Sequence, residues 1–176
     1  MKPQYPGNTT GVTDWKDSVG RPVRTDGCIF FLCTAGMAAV SVNMQKKPLR
    51  RGDLLVLTSD MFMSVEAVSS GFSADYVSLS GIMLETAYYK ISDISLWDYL
   101  HFTPVIPLNA RQQSLMGGWI AQVGWILDNM PSTNRITMLG YMVYNLFVAI
   151  DAEFAKTDIE ARMEYKNNAR DITTVH

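Results

Sequence analysis

Histidine is nearly missing from this chain. Of 176 residues only His101 and the terminal His176 are histidine, and the stretch from Trp15 to Leu84 has none. Soft and borderline divalent metals are held mainly by imidazole and thiolate, so neither a metal site nor a cofactor is expected. Cysteine is equally scarce. Cys28 and Cys33 lie five positions apart, and on one strand such positions face opposite ways. They cannot bond to each other, and they read as small buried hydrophobes in a reducing compartment. A basic surplus is lacking too: 15 Lys and Arg stand against 17 Asp and Glu, for a net charge of -2 at pH 7. That balance argues against nucleic-acid binding by these residues alone. The N-terminus, MKPQYPGNTT, has no apolar run and does not read as a secretory signal. The charge-free stretches Gln112–Leu127 and Ile136–Ile150 contain polar residues and fall short of the roughly 18 apolar residues of a membrane span. A cytoplasmic protein with no membrane contact is expected.

Signatures of catalysis are also thin. There is no Gly-x-Ser-x-Gly elbow and no Gly-rich phosphate loop. His101, beside a proline-rich crossing, reads as a packed or capping residue. Gly117-Gly118 falls inside a helical pattern, which suggests close helix packing. The carboxylates Asp53, Asp60, Glu66 and Asp75 are spread out, and Asp53, directly after Gly52, is expected to serve a turn. Lys46, Lys47, Arg50 and Arg51 flank Pro48 in an expected turn over 44–48, where exposed charges also discourage unwanted strand pairing. The chain is therefore expected not to be an enzyme, with no catalytic residue assigned.

What is present is a strand-rich first half. Residues 1–14, with Pro, Gly, Thr and Asn, read as a flexible arm. From 15 to 90 short apolar runs alternate with turn signals: Cys28–Cys33, Ala38–Val42, Leu54–Leu57, Met61–Val65 and the long run Phe72–Leu84. Many short strands without helices between them suggest a barrel or sandwich. A helical segment is expected over 91–155. A short helix over Ser92–Leu100 and an extended crossing at Pro104–Pro107 precede two longer helices. The first carries Leu115, Trp119, Ile120, Val123, Ile126 and Leu127. The second follows Pro131, with Ser132 as a candidate N-cap, and carries Ile136, Leu139, Val143, Leu146, Phe147 and Ile150. Arg135 is the only charge between Thr133 and Ile150. A helix apolar nearly all round needs cover on more than one side. A second copy of the chain is the expected cover, over Met138, Met142, Leu146, Phe147 and Ile150. Residues 156–176 read as a charged tail or linker.

Small barrels can enclose one small ligand. Trp15, Phe30, Leu32, Met44, Phe62 and Tyr76 are the candidate contacts, each also a natural core residue.

Two pieces of this text resemble a known family. The series Asp26-Gly27, apolar strand, Gly36, short strand and Leu49-Arg50-Arg51-Gly52-Asp53-Leu54-Leu55-Val56-Leu57 resembles the N-terminal cupin domain of AraC-family transcriptional regulators. Phe102-Thr103-Pro104-Val105-Ile106-Pro107-Leu108-Asn109 resembles that family's crossing from barrel to paired helices. The resemblance covers about residues 15–155. It implies a mainly β fold, a cupin-like jelly-roll barrel (double-stranded β-helix) followed by an α-helical hairpin. It also implies a small-molecule effector, a sugar or another metabolite, held in the barrel with the arm closing over it, and a homodimer formed by the helices. DNA would be read by a separate helix-turn-helix domain that is not among these residues. The family's proline or histidine after the Gly-Asp-Leu strand is replaced by Asp60-Met61-Phe62-Met63, which implies an effector unlike the sugars of relatives. Two other readings stand beside this one. One is a metal-independent cupin enzyme of isomerase or epimerase type using Glu66 and Tyr76. The other is an interaction module with a filled barrel and no ligand.

Overall fold

The computed structural model describes residues 4–88 and 103–173, the side chains of 86–88 and 154–173 excepted. In chain order the elements are β1 (Thr9–Thr13), β2 (Pro22–Val23), β3 (Cys28–Ala35), β4 (Met37–Val42), β5 (Gln45–Arg50), β6 (Asp53–Thr58), β7 (Met63–Val68) and β8 (Ser73–Leu79). There follow α1 (Gly81–Tyr88), β9 (Val105–Pro107), α2 (Ala110–Asn129) and α3 (Ser132–Thr173). The strands form two antiparallel sheets, β1-β8-β3-β6-β9 and β2-β7-β4-β5. Taken over β1 to β8, the order is that of a jelly roll, two interleaved Greek keys divided between facing sheets. β9 adds a fifth strand beside β6. The fold is thus a cupin-like sandwich followed by a packed helical pair.

The strand texts show why a third layer exists. β4, Met-Ala-Ala-Val-Ser-Val, buries alternate residues, as a strand with one wet face must. β3, Cys-Ile-Phe-Phe-Leu-Cys, buries six in a row. Its two phenylalanines point opposite ways. Phe31 packs against Tyr5, Trp15 and Tyr76 between the sheets, while Phe30 meets Trp119 of α2 and Phe147 of α3 on the outer face. The helices therefore cover the face of the five-stranded sheet that would otherwise expose Phe30, Leu32, Leu54 and Val77. Each large apolar side chain so buried contributes roughly 1.5–3 kcal/mol.

Two glycines of the family-like text have steric reasons. A Cβ at Gly27 would strike the Leu79 carbonyl oxygen. Gly52 has φ +90°, and a Cβ there would lie 2.6 Å from Gln113 of α2. Beside it Asp53 accepts a hydrogen bond from the Arg50 amide at 2.8 Å, so it does serve the turn.

Several expectations are corrected. The arm is not loose throughout: residues 9–13 pair with β8, and Tyr5 is buried. The run Phe72–Leu84 breaks after Leu79 and continues as α1. The turn expected over 44–48 is the two residues Asn43-Met44, both with positive φ (50° and 67°). Lys46, Lys47 and Pro48 belong to edge strand β5, where a proline's missing N–H does no harm. At the second helix, the Pro131 carbonyl rather than Ser132 receives the first amides, those of Asn134 and Arg135. Gly117 and Gly118 do not bring helices together, since a Cβ at either meets nothing within 4 Å. The charged tail continues α3 to Thr173. The helix expected over Ser92–Leu100, and His101, lie outside the described residues.

Met44 holds a conformation that an L side chain adopts only at a steric cost. Replacing it with glycine is expected to stabilise the fold by about 0.5–1 kcal/mol, after the glycine entropy is set against the relieved strain. Urea denaturation measures this; a fall in stability would show that the hairpin tip is not so shaped.

Candidate functional site

α2 and α3 lie on the sheet but leave space along their seam. α2 starts at a capping box: the Asn109 side chain accepts from the Gln112 amide, and the Gln112 side chain accepts from the Asn109 amide. Its buried face is Met116, Trp119, Ile120, Val123 and Ile126. α3 buries Leu139, Val143, Leu146 and Phe147. The Trp119 indole N–H donates to the Met142 carbonyl at 2.9 Å and ties the helices together. Beside this tie runs a half-open groove of about 410 Å³, within the range of small-molecule sites. Its floor is Leu54 and Leu108 from the sheet side, with Met116, Trp119 and Leu146. The neutral polar groups of Gln112, Ser114, Gln122 and Asn145 stand along it. At one end is Glu153, whose carboxylate receives Arg111 Nη2 at 2.6 and 2.7 Å and Gln112 Nε2 at 3.2 Å. Apolar walls with a few oriented polar groups are what a binding groove needs.

The six expected ligand contacts do not converge. Trp15 and Tyr76 lie between the sheets around Phe31, and Trp15 also stacks on Phe72 with 4.9 Å between centroids. Phe30 and Leu32 face the helices, on the other side of the same sheet. Met44 is exposed at the β4–β5 tip. Phe62 is half-exposed under Arg24, whose guanidinium carbon lies 4.9 Å from the ring centroid. The space between the sheets around Phe31 is occupied by aromatic side chains. Tyr5 from the arm enters it, its hydroxyl accepting from the Trp15 indole N–H at 2.9 Å. Burial pushes the Tyr5 hydroxyl above its ordinary pKa, against the lowering effect of its hydrogen bonds to Thr13, Trp15 and Ser18. The two thiols are buried and unpaired, and burial raises both.

Glu66 is exposed on β7 of one sheet, whereas Tyr76 faces inward from β8 of the other. They do not form the pair that an enzyme reading would use. Of the expected interface residues, Leu146 and Phe147 are buried inside the subunit and are withdrawn as surface contacts. Met142 and Ile150 are partly buried, and Met138 is exposed. The outward stripe of α3 beyond the groove is instead Met138, Tyr141 and Val148, and that of α2 is Trp125, while the exposed Leu115, Gln122 and Asn145 line the groove. The sequence carried a sign of the groove. Gln122 and Asn145 interrupt apolar helices with uncharged amides, and Gly118 leaves room beside them.

No protein-family model and no curated protein matches this chain by sequence. Among solved structures, a variant of ToxT from Vibrio cholerae is 10% identical with TM-score 0.48, over 86% of this chain and 54% of that one. ToxT bound to a methylnaphthalenyl butenoic acid is 8% identical with TM-score 0.45, over 82% of this chain and 57% of that one. A cupin superfamily protein from Desulfitobacterium hafniense is 18% identical with TM-score 0.31, over 44% of this chain and 83% of that one. The chain thus spans about half the length of the ToxT chains it is similar to.

Tyr5→Phe removes the acceptor of a buried indole N–H and is expected to destabilise by about 1–3 kcal/mol in urea denaturation. The raised Tyr5 pKa also has a sign. The unfolded chain ionises first, so stability holds below pH about 10 and falls as the pH rises beyond it. Tyr5→Phe should flatten that alkaline fall. An unchanged alkaline slope would place Tyr5 in solvent.

Proposed function

We propose that this chain is the effector-sensing and dimerising unit of an AraC-type transcriptional regulator, a binding unit rather than an enzyme. The observation that carries the reading is the groove along the α2–α3 seam. A guest there touches both helices and, through Leu54 and Leu108, the sheet that seats them. It can therefore favour one arrangement of the helical pair over another, which is all an effector must do. The Gly52-Asp53-Leu54 turn supports the family assignment, as does the β9 crossing that delivers the chain to α2. DNA reading then falls to a separate helix-turn-helix domain. The site proposed is the helical seam rather than the barrel, because aromatic side chains occupy the space around Phe31.

The second element of the reading is a homodimer through the outward faces of α2 and α3. No charge interrupts α2 from Ser114 to Leu127 or α3 from Ile136 to Ile150. Ile136, Tyr141 and Trp125 are each more than half exposed in the single subunit. Apolar, charge-free surface of this kind marks a protein contact. Among the described residues no helix is long and apolar enough to cross a membrane.

A thermal-shift screen of metabolites tests the first element. An effector at a hundredfold excess over its Kd stabilises by about 2.7 kcal/mol. Gly118→Phe puts a ring into open groove space and should abolish the shift without harming the fold. A shift untouched by that substitution would move the site elsewhere. Light scattering tests the second. The chain should be a dimer at micromolar concentration, and Tyr141→Asp should yield a folded monomer. Leu146→Asp should unfold the subunit, since it buries a charge without a partner. A monomer before any substitution contradicts the interface.

A further inference from the structure

We propose that the groove takes an amphipathic cation, an apolar body ending in a protonated amine, with Glu153 as its counter-charge. This rests on the groove being the effector site and adds the chemical class of the guest. Among the described residues lining the groove, Glu153 is the one that carries charge; the others are apolar, hydroxyl or amide. It stands at one end of an apolar channel, with its side chain only 19% exposed. Its partner is placed differently. Arg111 does not line the groove; it reaches in from the exposed start of α2, and its side chain is 61% exposed.

That asymmetry decides which group a guest replaces. Both contacts to the carboxylate come from a single nitrogen, Nη2, and not from the two-nitrogen fork that makes arginine pairs specific. Arg111 is already largely hydrated, so returning it to water loses little, and holding so long a side chain in one pose is entropically unfavourable. An ammonium entering along the groove meets the same two carboxylate oxygens from the apolar side. Gln112 Nε2 can keep its bond at 3.2 Å. A carboxylate guest faces the opposite balance. To reach Arg111 it must displace Glu153 and bring a second carboxylate beside one whose side chain is only 19% exposed, and crowding like charges in so sheltered a place is strongly unfavourable. A neutral guest fills the apolar floor but gains nothing from Glu153.

Three probes sharing one body test this by calorimetry on the intact chain: phenylbutylamine, phenylbutanol and phenylbutyrate. The amine should bind about tenfold more tightly than the alcohol, the scale of one hydrogen bond to a charged group, and phenylbutyrate most weakly. Glu153→Gln should bring the amine to the level of the alcohol. Arg111→Gln removes the internal competitor and should tighten the amine several-fold, an effect that a merely structural ion pair would not produce. Gly118→Phe should abolish binding of all three. Binding that is tightest for phenylbutyrate, or lost in Arg111→Gln, overturns the proposal, as does an amine indifferent to Glu153→Gln. Alcohol binding that Gly118→Phe removes, without an amine preference, overturns the cation but keeps the groove as the sensing site. Silence from all three probes also overturns the cation, and the metabolite screen then judges the sensing reading by itself.

Discussion

A strand that must be covered on both faces organises this molecule. β3 places Phe30 and Phe31 side by side in sequence and on opposite sides of a sheet. Neither ring can be left in water without forfeiting a substantial part of the roughly 5–15 kcal/mol by which a folded domain is stable. The inner face is closed by the second sheet and by Tyr5 and Trp15. The outer face can be closed only by another layer, and α2 and α3 supply it. The helical pair is thus a structural necessity of the jelly roll before it is anything else. Its position is fixed by Phe30, Leu54 and Val77, which it covers.

The groove follows from how that cover is made. Two helices laid on a twisted sheet seldom meet along their whole length, and here Gly118 and the short Ser114 leave the seam open. Trp119 holds the helices at one point by donating to the Met142 carbonyl, and the Arg111–Glu153 pair holds them at another. Between these ties the space is mostly apolar, with Gln112, Ser114 and Asn145 along it, and lies close to the layer that determines where the helices sit. A guest there shares contacts with both helices and the sheet. Under the proposed reading, a change in the seam would reach the outward stripes of α2 and α3 through the same two helices, without any need for a distant relay.

Much of the architecture could be read from the residues. Short apolar runs between turn signals announced a barrel or sandwich, but not that the sheet holding β3 and β6 is buried on two sides while that of β4 is wet on one. The 3.6 period from Leu115 onward announced the helices. Turn chemistry was harder. Met44 in a left-handed conformation carries no sequence signal, so the β4–β5 hairpin was placed too late and β5 was missed. β1 was missed because Thr9–Thr13 is polar and earns its place by pairing with β8, a long-range contact. The candidate site was the hardest part to read. A barrel packed by its own aromatics looks, in sequence, the same as a barrel lined to receive a ligand. Leu146 and Phe147 were read as surface because one sequence cannot say which side of an all-apolar helix meets its own sheet.

The claim at the centre is that a guest occupies the helical seam and not the space between the sheets. Methionine-methyl NMR separates the two places, because Met116 and Met142 line the seam whereas Met63 is fully buried on β7 of the opposite sheet. On titration with a bound effector, the Met116 and Met142 methyl signals should shift together while Met63 stays in place. A shift at Met63 with Met116 and Met142 unmoved would put the guest inside the jelly roll and contradict the account.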